Sequence, residues 1–164
     1  MSVAFRRESD DEHLEPRFEL PIPPGPNLVT ARGLALIQEE VARREAGLAD
    51  LLARLPAQQA GSEDEAVKAI RRELRYWRTR QASAQVMPVP DGTTVEFGCR
   101  VRLSMNGRER VVTIVGDDEA DPASGLLAYA APLARAIMGA EEGERVDFAG
   151  KAEAIEVLEI RAQP

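Results

Sequence analysis

Two stretches of heptad-spaced apolar residues, separated by a proline, constrain this chain more than any other feature. The first stretch has rows at Leu34, Val41, Leu48 and Leu55 and at Ile37, Arg44 and Leu51, the second at Val67, Leu74 and Gln81 and at Ile70, Trp77 and Ala84. Thr30 suits an N-cap and Pro56 ends the first helix. Helices joined by so short a connection bury both seams only when they fold back, so the pattern predicts an antiparallel coiled-coil hairpin.

The remainder of the chain alternates apolar and polar residues in short runs, as strands do. After a linker at residues 86–91, the runs lie at 95–97, 101–105, 111–115, 126–130, 145–148 and 152–160. Asn106-Gly107 is a strong hairpin turn signal. Pro132 and Gly139 suit the two ends of a short helix. We therefore predict an α+β domain with about five antiparallel strands and one short helix.

Composition limits the classes of partner. The chain has 164 residues, 44% hydrophobic but only 4% aromatic, which predicts an aliphatic core. Its formal net charge of -7 argues against a broad basic face for nucleic acid, so nucleic acid would be met only indirectly, through a protein partner. Cys99 is the single cysteine and no apolar run approaches the ~18 residues of a membrane span. We expect a cytoplasmic protein without membrane contact.

The first 26 residues differ from the rest. Charges of both signs are followed by prolines at 16, 21, 23, 24 and 26, which exclude a helix or central strand. An extended or disordered tail is one interpretation. A docking segment is the other, because Phe5, Phe18, Leu20 and Ile22 are apolar. We accordingly predict three parts: a tail at 1–26, the hairpin at 27–87 and the sheet domain at 88–164.

The run at 114–139, IVGDDEADPASGLLAYAAPLARAIMG, places four carboxylates within five positions. It resembles the C-terminal domain of the bacterial GreA/GreB transcript cleavage factors, which typically carry IVGxDEAD followed by SPLARALxG; Ala131 replaces the serine. LVTARGLALIQEEV and ELRYWRTRQASAQVM resemble the two arms of the family's N-terminal hairpin. The resemblance spans residues 27–160 and implies that the sheet domain is similar to the FK506-binding-protein fold.

In that family the hairpin enters the secondary channel of bacterial RNA polymerase, where an acidic pair at the tip helps to hold a Mg²⁺ ion. Carboxylate oxygens suit this hard ion, which orients the attacking water. The resemblance therefore implies no cofactor beyond the polymerase's Mg²⁺, no small-molecule substrate and no enzyme activity of its own. At most the chain would activate the polymerase's hydrolysis of its own transcript.

The tip sequence departs from the family pattern. In GSEDEAV, Ser62 stands where the family has an aspartate and Glu65 where it has a glutamate. Glu63, Asp64 and Glu65 are candidate donors to the polymerase Mg²⁺, whereas Ser62 and Glu65 also fit a capping box. Each arm is shorter than in the family by roughly two turns, ~11 Å. We favour a regulator of elongation with weak or no cleavage stimulation; the alternative is a full cleavage factor.

The family's acidic loop and following helix dock on the rim of the channel. By this resemblance the partner-binding residues are Asp118, Glu119, Asp121, Pro132, Leu133 and Arg135. Leu133 fits core packing equally well. A second surface is basic, with Arg71, Arg75 and Arg78 at helical spacing. These side chains could face RNA phosphates, or pair with Glu39, Glu40 and Glu45 on the first arm.

Two other classes of function remain open at this point. A prolyl isomerase needs an aromatic-lined cleft, and the sheet domain offers only Phe97, Tyr129 and Phe148. A stand-alone coiled-coil adaptor would bind no polymerase. Both fit the sequence less well than the polymerase-binding regulator.

Overall fold

A computed structural model describes residues 19–56 and 64–163 of the protein. The order of elements is β1 (Leu28–Val29), α1 (Ala31–Arg54), α2 (Glu65–Ser83), β2 (Gln85–Val86), β3 (Cys99–Met105), β4 (Arg108–Val115), β5 (Leu126–Ala128), α3 (Pro132–Ile137), β6 (Arg145–Phe148) and β7 (Lys151–Ala162). Two short 3-10 turns, Asp117–Glu119 and Pro122–Ser124, lie between β4 and β5. Two long helices followed by a mostly antiparallel sheet confirm the predicted α+β class.

The helices α1 and α2 pack along each other as the predicted antiparallel hairpin. Thr30 caps α1, its hydroxyl accepting a hydrogen bond from the Gly33 backbone N–H at 2.9 Å. Ile37 and Val41 of α1 and Val67 and Leu74 of α2 are buried, and the two helices contact each other along the hairpin. At 1.5 Å per residue, α1 is about 36 Å long and α2 about 28 Å.

Two seam positions differ from the sequence prediction. Gln81 is exposed, while the preceding residue, Arg80, is buried with a relative accessibility of 1%. The reason lies outside the hairpin, because Arg80 points to the sheet domain and finds its charge partners there. Arg44, the polar interruption of the first seam, binds Glu73 of α2 at 2.9 Å and lies over the Trp77 ring at 5.4 Å. Its charge is thus held between the arms.

Five strands form the main sheet in the order β5-β4-β3-β7-β6. The central pairs are antiparallel, with Val101 opposite both Val112 and Ile160. Asn106 and Gly107, at φ 54 and 72, form the predicted turn between β3 and β4. The edge pair β4–β5 is parallel, because the two 3-10 turns between these strands return the chain to the direction of β4. The sequence analysis had predicted antiparallel strands.

The sheet and α3 enclose the aliphatic core. Its fully buried side chains include Leu103, Ile114, Ile137, Ile155 and Val157. Residues 95–97 contribute Val95 and Phe97 to this core without forming the predicted strand. Val95 instead exchanges backbone hydrogen bonds with Gly139 and Ala140 at the end of α3.

A second, two-stranded sheet closes the base of the hairpin. Here β1, before α1, pairs in parallel with β2, after α2. Backbone bonds from Gln85 to Asn27 and from Met87 to Val29 are 2.8 and 2.9 Å long. Within the ranges described, no helix combines the length and apolarity that a membrane crossing requires.

Candidate functional site

The acidic loop, residues 116–121, lies against the base of the hairpin and joins it to the sheet domain. It begins at Gly116, which lies in close contact with the backbone of β1. A Cβ atom added to Gly116 would lie 2.3 Å from the carbonyl oxygen of Leu28. Only glycine permits this approach of two backbones, so the glycine of the IVGDDEAD motif is a packing requirement.

Asp118 is the centre of this joint. Its Oδ2 accepts a hydrogen bond from Arg80 Nε at 2.6 Å, and its Oδ1 accepts one from the Tyr76 hydroxyl at 2.5 Å. The side chains of Arg80 and Asp118 are 1% and 5% exposed. Asp117 approaches the same guanidinium at 3.6 Å. A buried ion pair therefore joins α2 to the loop, with hydrogen bonds supporting both charges.

Asn27 forms two further hydrogen bonds with Arg80. Its Oδ1 accepts from Arg80 Nη2 at 2.6 Å, and its Nδ2 donates to the Arg80 carbonyl at 2.7 Å. The same amide nitrogen donates to Ser83 Oγ at 3.2 Å. Asn27 is 4% exposed, and in the ranges described no buried side-chain nitrogen or oxygen lacks a partner. The joint is thus fully hydrogen-bonded, as a buried polar network must be to stabilise a fold.

Glu119 makes a second connection, to the N-terminus of α1. Its Oε2 accepts a hydrogen bond from the Thr30 hydroxyl at 2.6 Å, and Arg32 approaches Oε1 at 3.9 Å. The Thr30 hydroxyl thus caps α1 and binds Glu119 at the same time. A carboxylate at this place is also favoured by the partial positive charge of the helix N-terminus.

Burial at the joint shifts the pKa of two groups. Burial, reinforced by the bond to Asp118, raises the pKa of Tyr76 well above its ordinary value of 10.0. Burial also raises the pKa of Asp117 above 3.8, partly opposed by the Arg80 charge and assisted by the negative charge of Asp118. Tyr76 therefore acts as a neutral hydrogen-bond donor at neutral pH.

The predicted partner-binding residues divide into two groups. Asp118 and Glu119 are engaged inside the molecule, and Leu133 is 9% exposed and part of the core, so the core interpretation of Leu133 is confirmed. Asp121, Pro132 and Arg135 are exposed. The Asp121 side chain accepts a hydrogen bond from the hydroxyl of its neighbour Ser124 at 2.5 Å. The outward surface of this region is therefore Asp121, Pro132 and Arg135, while the other three residues support it from within.

At the hairpin tip, Asp64 is the N-cap of α2. Its Oδ1 accepts hydrogen bonds from the backbone N–H groups of Ala66 and Val67 at 2.9 and 3.1 Å. This corrects the predicted capping box, which began two residues earlier. Glu65 is the first helical residue and pairs with Lys68 at 2.9 Å. Glu63 and Ser62 lie outside the described residues. The cap uses Asp64 because its short carboxylate reaches two otherwise unpaired N–H groups.

The basic residues of α2 find different partners from those predicted. Arg78 pairs with Glu45 at 2.7 Å, as expected. Arg75 pairs with Glu19 at 2.7 Å, and Glu40 is occupied by Arg43 and Arg44 of its own helix. Arg71 forms no ion pair within residues 19–56 and 64–163. The predicted face-to-face pairing of the two arms is therefore correct only for Arg78.

Sequence reasoning missed Asn27, Tyr76 and the burial of Arg80. One signal was available, since a loop with four carboxylates must be neutralised if any part of it is buried. Heptad spacing could not identify the partner, because it describes only contacts between the arms. No cluster of three or more His, Cys, Asp or Glu able to hold a metal ion occurs among the residues that the structure describes.

Comparison with known proteins finds relatives that match the part of the chain containing the acidic loop and the main sheet. The family described as "Transcription elongation factor, GreA/GreB, C-term" matches residues 90–162. Transcription elongation factor GreA of Desulfovibrio desulfuricans is 36% identical over 77 residues, which are 44% of this chain and 48% of that protein. GreA of Pseudomonas putida is 37% identical over 101 residues, 60% of this chain and 63% of that protein.

The chain spans about half the length of the first of these curated relatives. Among known structures, Gfh1 of Thermus thermophilus aligns over 84% of this chain and 99% of its own, at 18% identity and a TM-score of 0.36. Residues 90–162 match the GreA/GreB C-terminal domain, and these sequence matches support membership of the GreA/GreB family of transcription elongation factors.

Proposed function

We propose that this chain binds bacterial RNA polymerase at the rim of the secondary channel and regulates elongation, with weak or no stimulation of transcript cleavage. The observation that carries the proposal is the buried joint around Arg80 and Asp118. It fixes the helical hairpin to a GreA/GreB C-terminal domain as a single projecting finger. A finger of fixed direction is what insertion into a channel requires.

The tip favours a regulator over a full cleavage factor. A carboxylate that is to bind Mg²⁺ must offer free oxygen atoms at the end of the finger. Asp64 uses one oxygen to cap α2, and Glu65 pairs with Lys68. The arms, at about 36 and 28 Å, also set a limit on how deep a tip carboxylate reaches. Under this proposal the Mg²⁺ and the hydrolytic chemistry belong to the polymerase.

The rim contact in this proposal is made by Asp121, Pro132 and Arg135. Pro132 and Arg135 belong to α3 and Asp121 to the acidic loop, and all three are exposed. An exposed acid and an exposed base suit a charged helical partner, with Pro132 as the apolar contact. Asp118 and Glu119 act through the loop, whose conformation they fix by binding Arg80 and Thr30.

Binding and cleavage need separate tests. For binding, Arg135→Glu should weaken the affinity for purified RNA polymerase, whereas Arg110→Glu, an equal charge change on the exposed part of β4, should not. Equal affinities for the two variants would remove α3 from the contact. For cleavage, a backtracked elongation complex with Mg²⁺ and this protein should yield little shortened RNA on a gel. Cleavage as fast as with an authentic GreA would instead support the full cleavage factor.

A further inference from the structure

The segment before β1 runs along the outside of α2 toward the hairpin tip. Tyr129 fixes one end, its hydroxyl donating to the Pro26 carbonyl at 2.6 Å. Asn27 lies beside Arg80 and Ser83, near the end of α2. Eight residues earlier, Glu19 meets Arg75, about five residues nearer the tip. Followed backward from Asn27, the chain therefore advances along α2 toward residue 65.

The contact between Glu19 and Arg75 has the geometry of a specific pair. Arg75 donates from Nη2 to one carboxylate oxygen at 2.7 Å and from Nε to the other at 3.2 Å. Such bidentate pairs add orientation to charge attraction. This residue belongs to the predicted tail, so at least one carboxylate of that region contacts the hairpin.

Beyond Arg75 the same face of α2 continues as a basic stripe formed by Arg71, Arg72 and Arg75. Residues three and four apart lie on one helix face. In the part of the chain that the structure describes, neither Arg71 nor Arg72 forms an ion pair. The nearby acids of the hairpin are engaged elsewhere, Glu73 with Arg44 and Glu45 with Arg78. The stripe therefore offers two guanidinium groups next to Arg75.

The sequence before Glu19 supplies the matching charge. Residues 8–15, ESDDEHLE, hold five carboxylates and no Lys or Arg. Four residues of extended chain reach about 13 Å, so Glu15 can reach any point within that distance of Glu19. Arg71 lies about 6 Å along the helix axis from Arg75. The reach is sufficient, and the direction of residues 19–26 already leads there.

We propose that the acidic segment 8–15 binds in cis to the basic stripe of α2, continuing the contact that Glu19 makes with Arg75. The bound segment shields the stripe from other polyanions, RNA included. It thereby makes the outer face of the hairpin selective for a partner that first displaces it. This inference does not depend on polymerase binding, because both partners belong to the same chain.

Paramagnetic relaxation enhancement on the full chain tests the contact directly. A nitroxide is attached to Ala69→Cys on α2 in a Cys99→Ala background, with Lys151→Cys at the β6–β7 turn as the control position. We expect the amide signals of residues 8–15 to broaden with the label at 69 and to stay sharp with the label at 151. Broadening should disappear at ~1 M salt, where the screening length is about 3 Å.

Charge reversal identifies the partners. Arg71→Glu with Arg72→Glu should abolish the broadening, and adding Asp10→Lys, Asp11→Lys and Glu12→Lys should restore it. Unchanged melting temperatures would show that these substitutions leave the fold intact. Absence of broadening in the parent, or broadening that survives the reversal of Arg71 and Arg72, would overturn the proposal. Broadening between labelled and unlabelled copies in a mixture would also overturn it, by showing contact between molecules.

Discussion

Arg80 of α2 and Asp118 of the acidic loop form a buried ion pair, with Nε and Oδ2 2.6 Å apart, across 38 residues of sequence. Asn27 and Tyr76 form hydrogen bonds with the pair, and Asp117 adds a second carboxylate 3.6 Å from the Arg80 guanidinium. The pair explains why an acidic motif lies at the base of a basic helix. It joins the helical hairpin to the sheet domain and so fixes the direction in which the hairpin projects.

Removing Arg80 should destabilise the protein strongly. Arg80→Met leaves Asp118 buried with only Tyr76 as a partner, and breaking such a pair from one side costs about 3–5 kcal/mol. Arg78→Met is the matched control, because its pair with Glu45 is exposed and contributes about 0–1 kcal/mol. Urea unfolding followed by circular dichroism gives both values. Equal losses in the two variants would mean that burial of the pair contributes nothing.

Gly116 and Gly47 should respond to alanine in opposite directions. At Gly116 the new methyl group would lie 2.3 Å from the Leu28 carbonyl, and the backbone must move, at a cost of about 1–3 kcal/mol. Gly47 is in the middle of α1 with open space around it, so alanine should stabilise the helix by up to about 1 kcal/mol. Thermal unfolding of the two variants measures both effects. A Gly116→Ala protein as stable as the parent would contradict the close approach of β1.

Patterns among residues close in sequence predicted the helices, strands and turns of this protein. The contacts between the acidic loop and the hairpin depend on residues far apart in sequence. The heptads, the Thr30 cap and the Asn106-Gly107 turn are encoded by residues close in sequence, and each was predictable. The bonds from Thr30 to Glu119 and from Arg80 to Asp118 join residues 89 and 38 positions apart. No periodicity links such pairs.

The family motif was recognisable from sequence, yet its interpretation as a docking surface was only part of the answer. A motif identifies which residues stand together, without saying which of them point inward. Asp118 and Glu119 turn toward the hairpin because a buried arginine and a helix N-terminus attract them. Asp121, two residues later, has no such group to bind and stays outside.

Asp117 should make stability depend on pH. Its pKa is raised in the folded protein, so the folded state binds the proton more tightly than the unfolded state. The resulting stabilisation is complete below the ordinary pKa near 3.8 and is lost as pH rises through the folded value. Asp117→Asn should therefore raise the melting temperature at pH 7. The gain should disappear near pH 3, as scanning calorimetry at both pH values would show.

Asp117→Asn needs a control that separates the pKa effect from a general change of charge. Asp121→Asn removes the same charge four residues along, at an exposed position. It should change the melting temperature little at either pH. If both variants gain equally at pH 7, the effect is one of net charge and not of burial at the joint.

Substitutions at Asp64 distinguish a capping role from the donation of a carboxylate to Mg²⁺. Asparagine caps helices about as well as aspartate, so Asp64→Asn should retain stability, whereas Asp64→Ala should lose about 0.5–2 kcal/mol. If Asp64 serves only as the cap, the rate of transcript cleavage in a backtracked complex will be the same with Asp64→Asn as with the parent, even where that rate is low. A Mg²⁺ donor behaves differently, because replacing a carboxylate oxygen by an amide nitrogen removes a hard ligand. Cleavage lost in Asp64→Asn at unchanged stability would therefore assign the tip a direct part in the polymerase's chemistry.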